Sequence, residues 1–516
     1  MSNKNTYYVT TPIYYVNDAP HIGHAYTTLS CDVLARFKRL DGIEVKFLTG
    51  TDEHGQKVEK AAAIAGVDPQ RFTDEVSANF RKLAEVMNFS FDDFIRTTEL
   101  RHKASAQALW DKLVETGNIY LDSYSGWYAV RDEAFYTESD LKDGPDGKKL
   151  APTGAEVEWV EEPSYFFRLS AWEQTLLTHY DEHPDFIMPQ SRKNEVVSFV
   201  KGGLNDLSIS RTTFQWGIPV PDNNDHIMYV WLDALTNYLT ALDFPDLKSA
   251  NFKSFWPADL HMVGKDILRF HAVYWPAFLL AAGLQPPKRI FAHGWWTNEG
   301  KKISKSLGNV IDPFILVRTY GLDAVRYFLL REVPFGNDGD FSHQSMVSRL
   351  NGELANDLGN LCQRVLSMIA KNCSGEIPPH QDFLPHDVEL IKRGSAMVAV
   401  IRDQLNHQKF NRALEEIWSV IGEANRYVDA MAPWALRKKD PIRMCTVLYV
   451  LVEIIRYIGL VIQPFMPDSG CKILDLLAVD QTKREFKDFE EALLVGTPLP
   501  MPEPVFPRFI EDGQTQ

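Results

Sequence analysis

Two histidines three residues apart, His21 and His24 in Pro20-His21-Ile22-Gly23-His24, follow a strand-like run and open a helical pattern. A turn from strand into helix directs unpaired backbone N–H groups at whatever lies above it, so an anion is welcome there. Gly23 carries no side chain and lets a flat ligand approach the backbone. The imidazoles can donate to phosphate oxygens without a full fixed charge. A zinc site is a competing use of the pair, but the neighbourhood adds only Asp18, Cys31 and Asp32, at spacing that suits no tetrahedral site. Two ordinary loop histidines are the third reading. Far downstream, GKKISKSLGN (Gly300 to Asn309) gathers Lys301, Lys302 and Lys305 in a glycine-bounded loop. Lysines on such a loop can close over a triphosphate and neutralise charge that builds during reaction. The alternative is a solvated basic loop.

The elements around these residues read as α/β. YYVTTPIYY, from Tyr7, is strand-like; Tyr26 to Leu40 places Leu29, Val33, Leu34 and Phe37 at helical spacing; Val45 to Gly50 resembles a buried parallel strand. Strand–helix–strand of this length predicts a βαβ unit in a doubly wound sheet, whose strand ends can bring both motifs to one crevice. From Gly117 to about Ser210, short strands and turn-rich stretches predict an inserted, mostly β module. Beyond Leu350, runs such as LANDLGNLCQRVLSMIA have 3.6-residue periodicity and predict a helical bundle.

The bulk numbers narrow the function. Lys+Arg is 54 and Asp+Glu 69, a net charge of −15, which argues against sequence-independent coating of nucleic acid while leaving room for a local basic groove. Five cysteines without a C-x-x-C pair fit a reducing compartment, and no signal or transit pattern precedes Tyr7, so a cytoplasmic protein is expected. The apolar stretch Val447 to Ile462 is interrupted by Glu453 and Arg456 and reads as a buried helix, not a membrane span.

Taken together, the two motifs resemble the HIGH and KMSKS signatures of the class I aminoacyl-tRNA synthetases, with Ile303 where the second has Met. TTPIYYVN (Thr10 to Asn17), FLTGTDEHG (Phe47 to Gly55), YVWLDAL (Tyr229 to Leu235) and GKDILRFH (Gly264 to His271) are similar to the methionyl-tRNA synthetases, as are NDLGNLCQR and VDAMAPW. The resemblance covers nearly the whole chain. It implies a split Rossmann-like sheet with its first half in 1–116, an inserted connective module in 117–212, the second half in 213–300, the lysine loop in 301–350, and a helical anticodon-binding domain with a C-terminal tail in 351–516.

The resemblance also implies roles. Methionine's own carboxylate would attack ATP, so no protein nucleophile is needed, and Mg²⁺ would arrive largely on the nucleotide. His21, Gly23, His24, Gly264, Asp266, Lys302 and Lys305 match ATP positions, with His21, His24, Lys302 and Lys305 closest to the chemistry. Asp52 would grip the methionine ammonium beside the backbone of Ile13. Trp231, Ala234 and Tyr238, at i, i+3 and i+7, would line the side-chain pocket with Tyr15, Ile267, Phe270, His271 and Trp275, and the Tyr238 hydroxyl would reach the sulfur. Without the resemblance that stripe reads as core. Asn360, Arg364 and Trp434 match positions that recognise a CAU anticodon, in initiator and elongator tRNAs alike.

The chain departs from many relatives in one respect. Between Gly117 and Glu162 it has neither Cys nor His, so no zinc knuckle is expected; packing of Tyr128, Phe135 and Tyr136 must hold that module. A monomer without an obligate protein partner is expected. Three alternatives remain at this stage: another class I synthetase such as the cysteinyl enzyme, which would need the missing zinc ligands; a simple nucleotidylyltransferase, which would leave Trp434 idle; and a non-catalytic tRNA-binding paralogue, which intact Asp52, His21 and Lys305 argue against.

Overall fold

The structure, a computed structural model, describes residues 5–16, 19–132, 134–136, 138–302 and 310–510. The chain forms two compact units: 1–20, 46–84 and 91–292 make the first, and 21–45, 85–90 and 293–516 the second.

The first unit is built on a seven-stranded sheet. Val9 pairs with Leu260, Tyr15 with Asp52, Gly50 with Ile95 and Ile187 with Ile290, all in parallel register. The run beginning at Tyr7 is two strands, Thr6–Thr10 and Tyr14–Tyr15. Pro12 has no N–H to give a ladder, so the first strand stops and the second restarts further along the same neighbour, Glu44–Asp52. The predicted buried strand is Glu44–Asp52, with its last six residues buried. It lies so close to Asp93–Arg96 that a Cβ on Gly50 would fall 2.0 Å from the Ile95 carbonyl oxygen.

The inserted stretch is dominated by one long antiparallel pair, Ile119–Ala129 with Glu158–Phe167. Tyr128 is buried there, and the Tyr136 hydroxyl donates to Asp132 at 3.0 Å; the Phe135 side chain lies outside what is described. The same stretch also holds two helices, Glu173–Glu182 and Gln190–Lys201. Between them Ile187–Met188 pairs with Ile290–His293 and so belongs to the main sheet. Leu176 and Tyr180, and Val196 and Val200, are buried pairs four apart, a helical signature too short to stand out in the sequence.

In the second unit, helix Ile22–Leu40 is tied to the helical part of the chain. Arg402 clasps Asp41 with two bonds of 2.8 and 2.7 Å, and Lys38 reaches Asn406 at 2.7 Å. Arg326 is fully buried, 2.7 Å from Asp32, and donates to the carbonyls of Phe465, Met87 and Pro464. Helices Pro385–Asn406, Phe410–Met431 and Pro441–Ile462 form the bundle predicted beyond Leu350. The last is long and apolar enough to span a membrane, yet its apolar window is 94% buried inside the protein. Glu453 and Arg456, which interrupt it, satisfy each other at 2.8 Å, and Arg456 also donates to the carbonyls of Asp488 and Phe489. Charges buried in this way are tolerated because they are paired.

Candidate functional site

His21 caps helix Ile22–Leu40. Its Nδ1 accepts the Gly23 amide at 3.0 Å, and the Nδ1 of His24 accepts the His21 amide at 3.1 Å. The rings stack with centroids 3.9 Å apart. With both δ nitrogens accepting, each neutral ring carries its proton on Nε2, and that nitrogen is the donor. Burial, then the charge of His21, holds His24 well below the usual histidine range, so it is neutral at physiological pH. A Cβ on Gly23 would sit 2.8 Å from Cε1 of His21. The glycine therefore makes room for the capping imidazole, a requirement that spacing alone does not disclose.

The chain on either side of the second motif is placed by described contacts. The Ile22 amide donates to the carbonyl of Ile311, just beyond the lysine loop. At the loop's other end, Lys302 pairs with Thr297 across an antiparallel ladder. Tyr26, in the second turn of the His-capped helix, presents an edge-on contact to Trp296 at 5.5 Å and to His293 at 5.2 Å. Both ends of the loop are thus anchored in the same unit as the histidine pair. Lys305 and the side chain of Lys302 lie outside the described residues.

The first unit gathers the residues expected to meet an amino acid. Asp52 ends its strand, buried, with Tyr15 as its parallel register partner. The Tyr15 hydroxyl donates to the His54 carbonyl at 3.1 Å. Trp231 lies flat on Phe270, centroids 3.5 Å apart and planes 9° off parallel. Ile13, Tyr15, Trp231 and Ile267 all pack, half-buried, against one apolar cluster. Ala234 is buried in helix Val230–Leu235, but Tyr238 comes from a separate short helix, Asn237–Thr240, so the predicted single stripe is interrupted at Thr236. A Cβ on Gly264 would lie 2.5 Å from the Asp266 carboxylate, so glycine there leaves that side chain its place.

The imidazoles behind this wall have fixed proton positions. Nδ1 of His271 lies 3.0 Å from the Ile267 carbonyl and must donate to it; Nε2 therefore accepts the Tyr238 hydroxyl at 2.7 Å. Burial holds His271 down at about 4, against the raising pull of the Ile267 carbonyl and Asp266. Trp275, expected to line the pocket, is fully buried and donates its Nε1 to Nε2 of His261 at 3.3 Å. His261 then gives its Nδ1 proton to Thr10 at 2.8 Å while its ring stacks on Tyr238 at 4.1 Å. Trp275 thus supports Tyr238 from within the core.

One buried group went unremarked in the sequence. Asp233, fully buried in helix Val230–Leu235, receives His54 Nδ1 on one oxygen and His102 Nε2 on the other, each at 2.7 Å. Burial pushes its carboxyl up, but the two imidazoles outweigh that and hold it at about 2. Both His54 and Asp233 stand inside the quoted motifs TDEHG and YVWLDAL; the only available signal was an acid and a histidine in otherwise apolar surroundings.

In the second unit the expected RNA-reading residues come together. Asn360 is exposed at the start of helix Asn360–Asn372, directly after a π-helical segment, Leu350–Gly359. Arg364, one turn on, lies over the Trp434 ring at 5.4 Å and donates to Asp429 at 2.9 Å. Trp434 is 49% exposed, which removes the reading of a core tryptophan. Ala432, in the left-handed region at φ 40°, ends helix Phe410–Met431 and turns the chain into the short helix that carries Trp434.

Comparison with known proteins agrees with this geometry. Residues 7–366 match the family described as tRNA synthetases class I (M), and residues 377–516 match the anticodon binding domain of methionyl tRNA ligase. Methionine–tRNA ligases of Rickettsia felis and Brucella suis are 56% and 55% identical, each aligned over 99% of this chain and 99% of the relative. The Mycobacterium tuberculosis methionyl-tRNA synthetase in complex with methionyl-adenylate superposes with a TM-score of 0.96 at 53% identity, over 98% of this chain and all of that one. Its free form superposes at 0.90. The chain therefore belongs to the methionyl-tRNA synthetases of class I.

Proposed function

We propose the following division of labour for a methionine–tRNA ligase that activates methionine with ATP and passes it to tRNA. Asp52 pairs with the methionine ammonium, a charge-assisted bond. Trp231, Ala234, Tyr238, Phe270 and Ile267 enclose the side chain, and Asp266 binds the ribose. His21 and His24 donate to phosphate oxygens through Nε2; Lys302 and Lys305 neutralise the charge that grows as the methionine carboxylate attacks the α-phosphorus and pyrophosphate leaves. Mg²⁺ is carried on the phosphates of ATP, and the inserted module, which has neither Cys nor His between Gly117 and Glu162, folds without zinc. Asn360, Arg364 and Trp434 read a CAU anticodon, so initiator and elongator methionine tRNAs are both substrates. The enzyme acts as a cytoplasmic monomer.

The observation that supports this reading is the bond between the Ile22 amide and the carbonyl of Ile311, two residues past the end of the lysine motif at Asn309. Amino-acid-dependent exchange of pyrophosphate into ATP, run across the standard amino acids, tests it. Methionine alone should support strong exchange. Exchange with cysteine, or with none, would overturn it, and stoichiometric zinc retained through dialysis would overturn the zinc-free module.

A further inference from the structure

The Asp233 cluster joins three distant segments of the first unit. His54 stands two residues beyond Asp52, its carbonyl holds the Tyr15 hydroxyl, and its ring meets Trp216 edge-on at 5.6 Å. Trp216 in turn donates to the Glu53 carbonyl at 2.6 Å and accepts the Gly55 amide at 2.9 Å. Asp233 itself sits between Trp231 and Ala234 in sequence, and His102, from helix Leu100–Glu115, fills its second oxygen at 2.7 Å. Well-packed apolar side chains hold a core together at least as well as a buried charged cluster does, so the cluster's distinctive contribution is fixed geometry.

We propose that Asp233 is a positioning residue for methionine: through His54 it sets the spacing between the Asp52 strand end and the Trp231–Ala234 wall. This rests on the roles given to Asp52 and Trp231 above. Its carboxylate touches no substrate. It fixes how far the ammonium-binding end stands from the side-chain wall, and hence the length of amino acid that fits.

The test is methionine-dependent pyrophosphate exchange on the full-length chain. In Asp233→Asn, one acceptor oxygen becomes a donor facing an N–H, and methionine KM should rise roughly tenfold with kcat and ATP KM little changed. Preference for methionine over ethionine, one methylene longer, should narrow. His54→Asn keeps an N–H near the position of Nδ1 and should retain wild-type KM; His54→Leu should match Asp233→Asn, and the double variant should be no worse than either single one. A lowered melting temperature with unchanged methionine KM, or equal rises for methionine and ATP, would overturn the proposal. If Asp233→Asn does not fold, the His54 pair decides: equal methionine KM in both overturns it. Asp52→Asn separates the two readings. An unchanged methionine KM there refutes the assigned site itself, whereas a raised KM with Asp233→Asn silent refutes only the positioning role.

Discussion

The Tyr238 hydroxyl gives its proton to Nε2 of His271 across 2.7 Å, because the other nitrogen of that ring is already committed to the Ile267 carbonyl. A hydroxyl has one proton. While this bond holds, Tyr238 cannot also donate to a thioether, so sulfur recognition requires either that His271 gives up its bond or that the sulfur is read by shape and polarisability. Tyr238→Phe distinguishes these. If shape carries recognition, methionine KM should rise by no more than a few-fold, the worth of about 1 kcal/mol. A loss of a hundredfold or more would show direct donation to sulfur.

His271 also makes acid stability testable. Its value falls from 6.5 in the ordinary state to about 4 in the fold, so the unfolded chain binds a proton that the native one refuses. The stabilisation is complete above pH 6.5 and is lost as pH falls from there towards 4, up to roughly 3 kcal/mol. His271→Gln should flatten urea-midpoint curves between those limits. An unchanged slope would assign the acid sensitivity elsewhere.

Gly23→Ala should separate activity from stability. Alanine is the better helix former by about 1 kcal/mol and loss of the His21 cap costs about as much, so the melting temperature should hold. The added Cβ, 2.8 Å from Cε1 of His21, must displace the capping ring. ATP-dependent steps should slow while methionine KM stays put. Wild-type exchange kinetics would contradict the assignment of His21 to phosphate.

Trp434→Ala and Arg364→Ala should spare pyrophosphate exchange and impair tRNA charging. Stacking one base on an aromatic ring is worth about 1–3 kcal/mol, so charging kcat/KM should fall by roughly 5- to 150-fold for Trp434→Ala. The Arg364–Asp429 pair is exposed and contributes about 0–1 kcal/mol, which leaves Arg364 ready to exchange that partner for RNA. Equal losses in exchange and charging would contradict this assignment.

Arg326→Ala should be the most destabilising of these changes. It takes one of two guanidiniums from the fully buried Asp32, which keeps Arg36 and Ser90, and it strands three carbonyls; breaking such a buried pair costs about 3–5 kcal/mol. Calorimetry on the purified variant measures it; a melting temperature within a degree or two of wild type would refute the role given to this pair.

What was legible in the sequence was local. His21, Gly23 and His24 stand within four residues, so their spacing alone suggested a helix mouth for anions. Trp231 and Ala234 were legible as one helical face, but the break at Thr236 was not, because nothing at that position forbids helix. Trp275 reads the same whether it lines a pocket or backs one; only the partner of its Nε1 distinguishes the two. Arg364 and Trp434 required the topology of three helices to meet. The Asp233 cluster was the least legible, since burial of a polar group is decided by residues remote in sequence, here His54 and His102.

Helix Pro441–Ile462 shows how little length and apolarity say about where a helix ends up. By those two measures it could cross a membrane, yet it lies inside the protein. A charge such as that of Arg456 would cost about 2.5–3.5 kcal/mol at mid-bilayer. In the bundle Glu453 and the carbonyls of Asp488 and Phe489 meet that charge, so the residue that opposes lipid is one this interior is built to hold.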